Sequence, residues 1–356
     1  MNPSALNLNS LLAHRHPVLL SLLLSLLVAP QIKGAESLET LLDAVHPDTK
    51  KWATVIRVQN PNDSPSFETK HYQGSETDRD FWPASTIKLY TVVAVLEWLN
   101  QEQLPLDTTL TFCRQDSSRQ WIIDCARTYP EMVSEVFRRS SNEDYTLLLR
   151  SLGIDQINQT FFTPEKGFPH TALMRDYITY RPALYVNEEP QRIIASTSTG
   201  VQRVFEHVWS GTSYSKLAGA TALSETTGNC TTTAELANCL RRLLFHSQIP
   251  ESERFNLSTE QARWICEGDP ERGVIGLENR LAGPYGWEKS GEIVFPNARY
   301  FHKAGLISTY VLDLCYLTDQ ESDNHLILAL AARSGEEQVI RDMARTIYQA
   351  AKDGEL

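Results

Sequence analysis

Ser85 and Lys88 are the residues whose types and spacing most directly offer chemistry. They stand in the run Phe81-Trp82-Pro83-Ala84-Ser85-Thr86-Ile87-Lys88-Leu89-Tyr90, where a proline precedes an apolar stretch that reaches Leu99. The pattern predicts a loop entering a buried helix, with Ser85 in its first turn and Lys88 one turn later on the same face. A serine hydroxyl is a poor nucleophile until a base takes its proton. Lysine can be that base only where desolvation or neighbouring cations leave its amine neutral. A Ser-x-x-Lys at the head of a buried helix meets both needs. The chemistry it points to is covalent serine hydrolysis.

The elements that must position this pair are legible as periodicities. Ser37 to Val45 reads as a short amphipathic helix. Trp52 to Gln59 and Phe67 to Tyr72 read as strands joined by the turn Asn60-Pro61-Asn62-Asp63. From the Ser85 helix to about Leu281 the pattern is mostly helical, with helices near 130–138, 142–152, 233–245 and 259–266. Ser258-x-x-Gln261 forms a capping box before the last of these. Residues 176–223 depart from that pattern, since Arg192-Ile193-Ile194-Ala195 and Val204 to Trp209 flank Thr199-Gly200. This segment is expected to be an inserted β-hairpin lying over the helical lobe. Arg299–Ile307, Tyr310–Thr318 and Leu326–Ala332 read as strands, and Glu336 to Lys352 as a closing amphipathic helix.

These elements imply an α+β fold, with an antiparallel sheet flanked by terminal helices and an inserted all-α lobe. The expected organisation is a leader or anchor at 1–35 and one domain over 36–356. Its α/β lobe is 36–81 plus 292–356, and its helical lobe is 82–291. The active site is expected between the lobes.

Composition narrows the function. The 356 residues carry a formal net charge of −11, with acidic and basic residues interspersed. No basic stripe is present, which argues against nucleic acid as a partner. His14-Arg15-His16 precedes the apolar run Val18 to Ala29, which is short for a membrane span and suits the apolar core of an export signal. Export to a periplasmic or extracellular location is expected, with a retained anchor helix as the alternative. The six cysteines are Cys113, Cys125, Cys230, Cys239, Cys266 and Cys315. Cys113 with Cys125 could form a local disulfide, and the alternative is that all are buried small hydrophobes. No Cys-x-x-Cys or histidine cluster accompanies them, so neither a metal nor another cofactor is expected.

The order of motifs resembles that of the penicillin-recognising serine hydrolases, the class A β-lactamases and related penicillin-binding proteins. Pro83 to Lys88 resembles the family's Ser-x-x-Lys. Ser140-Ser141-Asn142, followed by Leu147-Leu148-Leu149, resembles its Ser-x-Asn motif. Lys303-Ala304-Gly305 resembles its Lys-Thr/Ser-Gly strand, and Thr231 to Ala237 the helix start after its Ω loop. Each motif alone is weak, because Ser213-x-x-Lys216, Ser322-Asp323-Asn324 and Lys289-Ser290-Gly291 repeat the patterns. Order and context favour the first set: Ser213 precedes no buried helix, Ser322 falls in a polar turn, and Lys303 opens the strand pair.

The resemblance implies roles. Ser85 is the acylated nucleophile and Lys88 its base. Ser140 passes a proton to the departing nitrogen, and Asn142 orients Lys88 and the substrate amide. Lys303 polarises Ser140, Gly305 lets the substrate approach the strand, and the N–H groups of Ser85 and Leu306 form the oxyanion hole. Glu225-Thr226-Thr227-Gly228-Asn229 reproduces the Glu-x-x-x-Asn that holds and activates the hydrolytic water, although it abuts the Thr231 helix start directly. Two departures bear on carboxylate recognition. Ala304 replaces a hydroxyl residue, and no Arg or Lys occurs from Leu306 through Leu317, leaving Ser308, Thr309 or Arg333 as substitutes.

Three functions follow for a monomer acting on a small-molecule β-lactam or a peptidoglycan peptide. The first is a β-lactamase with a Ser85 acyl-enzyme. The second is a D,D-peptidase or esterase that releases its acyl group slowly. The third is a cell-wall-binding homologue without catalysis.

Overall fold

The computed structural model describes residues 37–173, 175–177, 190–208, 229–278, 298–307, 309–319 and 323–356. The chain enters through α1 (Leu38–Asp43), capped by the Ser37 side chain, and crosses β1 (Lys51–Gln59) and β2 (Ser66–His71). A 3-10 turn at Ala84–Ile87 then leads into α2 (Lys88–Gln101). A hairpin follows, β3 (Thr109–Gln115) and β4 (Trp121–Thr128), and then α3 (Tyr129–Arg139), α4 (Asn142–Leu152) and α5 (Ile154–Thr160). Next come β5 (Gln191–Ser196), β6 (Gln202–His207), α6 (Thr233–Leu244) and α7 (Thr259–Glu267). Two short strands, β7 (Gly268–Asp269) and β8 (Val274–Ile275), precede β9 (Arg299–Ile307), β10 (Tyr310–Asp319) and β11 (Asn324–Ala332). Helix α8 (Gln338–Lys352) closes the chain.

The first and last strands build one antiparallel sheet in the order β2-β1-β11-β10-β9, as the alternation of the sequence leads one to expect. Both of its faces are covered, which is why β11 is buried along its whole length. On one face Leu38, Leu42, Val339, Met343 and Ile347 of α1 and α8 pack on Val55, Cys315 and Leu328. On the other, Ile56, Leu314, Tyr316 and Ile327 meet α2, α3, α4 and α6. Helix α2 is mostly apolar, buried on every side from Lys88 to Leu99, and lies in the centre of this core. Each of its fully buried leucines and valines contributes about 1.5–3 kcal/mol of transfer free energy.

The mixed α+β architecture agrees with expectation, but the helical lobe is not all-α. It carries a second antiparallel sheet in the order β4-β3-β5-β6. The expected hairpin exists as β5 and β6, with Ser196 opposite Gln202. It does not lie loose over the helices, because β5 pairs with β3, which joins it to the first hairpin. Leu110, Phe112, Ile193 and Ala195 point inward from this sheet, and Phe205 stacks edge-on against Trp98 of α2 at 5.0 Å. Strand β4 escaped the sequence reading because its residues are half-buried or exposed along the whole strand, leaving no alternation to detect. Cys113 is a free thiol, so the Cys113–Cys125 disulfide is not formed. A shift in register at Phe112/Cys113 places Cys113 opposite Ile123 and Cys125 opposite Phe112.

Candidate active site

Ser85 lies in the 3-10 turn, one turn earlier than the α-helix proper, and Lys88 is where that helix begins. The Lys88 N–H bonds the Ser85 carbonyl, so the two side chains share a face. Ala84, just before Ser85, is held at φ 47°, a left-handed conformation that costs a non-glycine residue about 1–2 kcal/mol. The turn is held by Thr86, whose hydroxyl donates to the Pro83 carbonyl at 2.6 Å.

The second motif is a junction between two helices. Helix α3 ends at Ser140 in the left-handed conformation (φ 57°, ψ 41°), and Ser141 then caps α4 by accepting from the Asp144 N–H. This break turns the Ser140 carbonyl and hydroxyl and the Asn142 side chain toward Lys88. Lys88 Nζ donates to the Ser140 carbonyl at 2.5 Å and to Asn142 Oδ1 at 2.6 Å, with Ser140 Oγ 3.3 Å away. The Ser141 carbonyl lies 3.4 Å away as well, so the amine is surrounded by acceptors and its burial is what favours the neutral form. Burial drives the Lys88 pKa well below the ordinary lysine value. The Lys303 cation adds to the drop, while Glu143 and Asp144 oppose it.

Lys303 comes from the edge strand β9. Its Nζ donates to Ser140 Oγ at 2.9 Å and to the Ala304 carbonyl at 3.0 Å. Burial lowers its pKa to about 7, against the raising effect of Asp313. Ser140 Oγ therefore stands between two amines, a relay in which a proton can move toward or away from either. Lys303 reaches Ser140; Lys289 lies outside the described residues, as do Ser213, Lys216 and Ser322.

Gly305 lies where β9 packs against the turn that carries Ser85. A Cβ there would stand 3.1 Å from each of Ala84 Cβ, the Pro83 carbonyl oxygen and the Ser85 nitrogen. The glycine thus permits the close approach of β9 to the turn that carries Ser85. Ala304 faces Asp313 in the register of β9 and β10, so an acid and no cation neighbours it on the next strand. Thr309 is exposed in the turn after β9, Arg333 is exposed at the end of β11, and Ser308 lies outside the described residues.

Glu225 also lies outside the described residues. Asn229 is described, and its amide is engaged within the protein. It is fully buried, with Oδ1 accepting from the Arg175 N–H at 3.0 Å. Its Nδ2 donates to the Arg175 carbonyl at 3.0 Å and to the Tyr177 hydroxyl at 3.1 Å. Together with the Ala172–Cys230 bridge it clamps two distant stretches of chain. Below this clamp, the hydroxyls of Tyr90, Thr231 and Thr171 run in a hydrogen-bonded chain to the buried carboxyl of Glu235. That carboxyl also accepts from the His170 N–H, and burial pushes its pKa up to about 7.

Tyr177 is the residue that the motifs did not disclose. Its hydroxyl donates to the Ala84 carbonyl at 2.9 Å, and its own carbonyl accepts from Asn142 Nδ2 at 3.3 Å. Its ring and that of Tyr145 flank the Lys88 amine at 5.9 and 5.7 Å. No spacing rule points to a tyrosine 89 positions after the lysine it covers.

Comparison with known proteins agrees with this architecture. A model of the β-lactamase enzyme family matches residues 56–351. No curated protein matches the chain significantly. Among solved structures, a β-lactamase from Sphaerobacter thermophilus DSM 20745 is 16% identical with a TM-score of 0.54, covering 88% of this chain and 96% of its own. The TLA-1 extended-spectrum β-lactamase is 14% identical with a TM-score of 0.58, at coverages of 90% and 99%. PBP-A is 15% identical with a TM-score of 0.53, at coverages of 90% and 98%. At such identities these structures speak to the fold alone. With the family match spanning most of the chain, the protein belongs to the β-lactamase enzyme family.

Proposed function

We propose that this protein is a serine acyl hydrolase in which β-lactam amides acylate Ser85. The observation that carries the reading is the position of Ser140 Oγ between the buried amines of Lys88 and Lys303. Lys88, kept neutral, takes the Ser85 proton as Oγ attacks the amide carbonyl. The developing oxyanion is received by the Ser85 and Leu306 N–H groups. As the C–N bond breaks, Ser140 gives its proton to the departing nitrogen and is reprotonated from the neighbouring amine. Hydrolysis of the resulting ester by water frees Ser85. In the leading reading this last step is fast, with Glu225 as the water's base, and the protein is an exported β-lactamase.

A second reading, a penicillin-binding peptidase or esterase with slow release, is favoured by Asn229, whose amide is committed to Arg175 and Tyr177. One experiment separates them. Fluorescent penicillin is expected to label the wild type and not Ser85→Ala; labelling of Ser85→Ala would sink the assignment. Sustained nitrocefin turnover that is lost in Glu225→Gln supports the β-lactamase, whereas a lasting adduct supports the peptidase. A wild type that takes no label leaves only the non-catalytic binding role.

A further inference from the structure

Nothing in the three motifs assigns a task to Tyr177, yet it touches both halves of the acylation machinery. Its hydroxyl holds the carbonyl of Ala84, the strained residue before the nucleophile. Its backbone carbonyl holds the amide of Asn142, whose other end accepts from Lys88. Its ring lies against the Lys88 amine, and the ring of Tyr145 on α4 lies against it as well. The hydroxyl is in turn fixed by Asn229 Nδ2, so its proton is directed at Ala84.

We propose that Tyr177 is a positioning residue for acylation: its hydroxyl sets the pose of the Ser85 turn, and its ring keeps water from the Lys88 amine. The inference rests on the acylation of Ser85 proposed above. Burial pushes the phenol's pKa up to about 12, so it remains an O–H donor wherever the enzyme works. The charged groups that bear on Lys88 among the described residues are Lys303 on β9 and Glu143 and Asp144 on α4. The acids favour the ammonium form, and an aromatic wall that excludes water opposes them by desolvation. Loss of the ring would hydrate the amine, raise its pKa and leave it protonated to a higher pH.

The test is the rate of labelling by a fluorescent penicillin across a range of pH, on the full chain. Tyr177→Phe, which keeps the ring, is expected to slow labelling about tenfold through loss of the hydrogen bond to Ala84, with the midpoint of the acidic limb unmoved. Tyr177→Ala is expected to move that midpoint up by about one pH unit as well. Should Tyr177→Ala fail to fold, Tyr177→Leu, which keeps apolar volume without the ring, carries the same expectation. Labelling of Tyr177→Phe at the wild-type rate overturns the hydroxyl's part, and an unmoved midpoint in the ring-less variant overturns the ring's part. An unlabelled wild type overturns the acylation reading itself, whereas a labelled wild type with indifferent variants overturns only the role of Tyr177.

Discussion

The two walls of the cleft are built by opposite means. On the wall made by α2, the α3–α4 junction and β9, buried amines meet hydroxyls and carbonyls, and both lysines are pushed below their ordinary pKa. The groups there retain a lone pair or a proton that can move. On the wall made by residues 170–173, 175–177 and 229–235, polar atoms bond one another: Asn229 with Arg175, Thr171 with Glu235, Tyr177 with Ala84. A buried polar group with its partners in place gives rigidity, and one with capacity left over gives reactivity. The difference teaches that a polar residue near the nucleophile is not thereby a participant; what matters is whether its donors and acceptors are already used.

Substitutions on the two walls should therefore differ in kind. The largest effect is expected at Lys88. Lys88→Met should lower the acylation rate by about 10²–10⁴-fold, the range of a lost general base, as followed by penicillin labelling. Its melting temperature should fall, because the Ser140 carbonyl and Asn142 Oδ1 lose the donor they accept from, although the buried amine itself is no longer desolvated. A variant labelled at the wild-type rate would remove Lys88 from the chemistry.

Gly305→Ala comes next. The new Cβ meets three atoms at 3.1 Å, two of them backbone, so β9 and the Ser85 turn must part by a few tenths of an ångström. Labelling should slow by roughly tenfold, since misplacement by about 1 Å can cost 10²-fold. If the rate is unchanged while the Ser85→Ala control stays unlabelled, the strand and the turn do not need this contact.

The smallest effect on catalysis is expected from Glu235→Gln, on the saturated wall. Between the ordinary carboxyl value of 4.5 and about 7, the folded chain holds a proton on Glu235 that the unfolded chain has lost. The unfolded state binds fewer protons there, so the wild type loses stability as pH rises through that window. Glutamine removes this loss, and its amide can still accept from His170 and donate to Thr171. Urea unfolding above neutral pH should find the variant more stable by on the order of 1–3 kcal/mol, with the gain shrinking toward pH 4.5. Labelling should be unchanged; a large loss of labelling would mean that the second wall also takes part in the chemistry.

Much of this was legible beforehand, and the exceptions are instructive. Helix α4 begins and ends where its periodicity indicates, and the capping box at Ser258 is present. Ser85, Lys88, Ser140 and Lys303 could be named because their motifs are local, each within a few residues of chain. Tyr177 and the commitment of Asn229 could not, since both are defined by partners 35 to 93 residues away. The lobe's second sheet was missed for the same reason: β3 becomes central only when β5 arrives from far along the chain.

The sequence by itself determined the apolar helix that buries Lys88, the helix breaks around Ser140 and the alternating strands of the main sheet. These depend on propensity, capping and periodicity, which act over one or two turns. Only the tertiary structure decided which polar groups keep capacity to react. That depends on desolvation and on the full set of hydrogen-bond partners around each atom, and neither exists until distant segments are packed together.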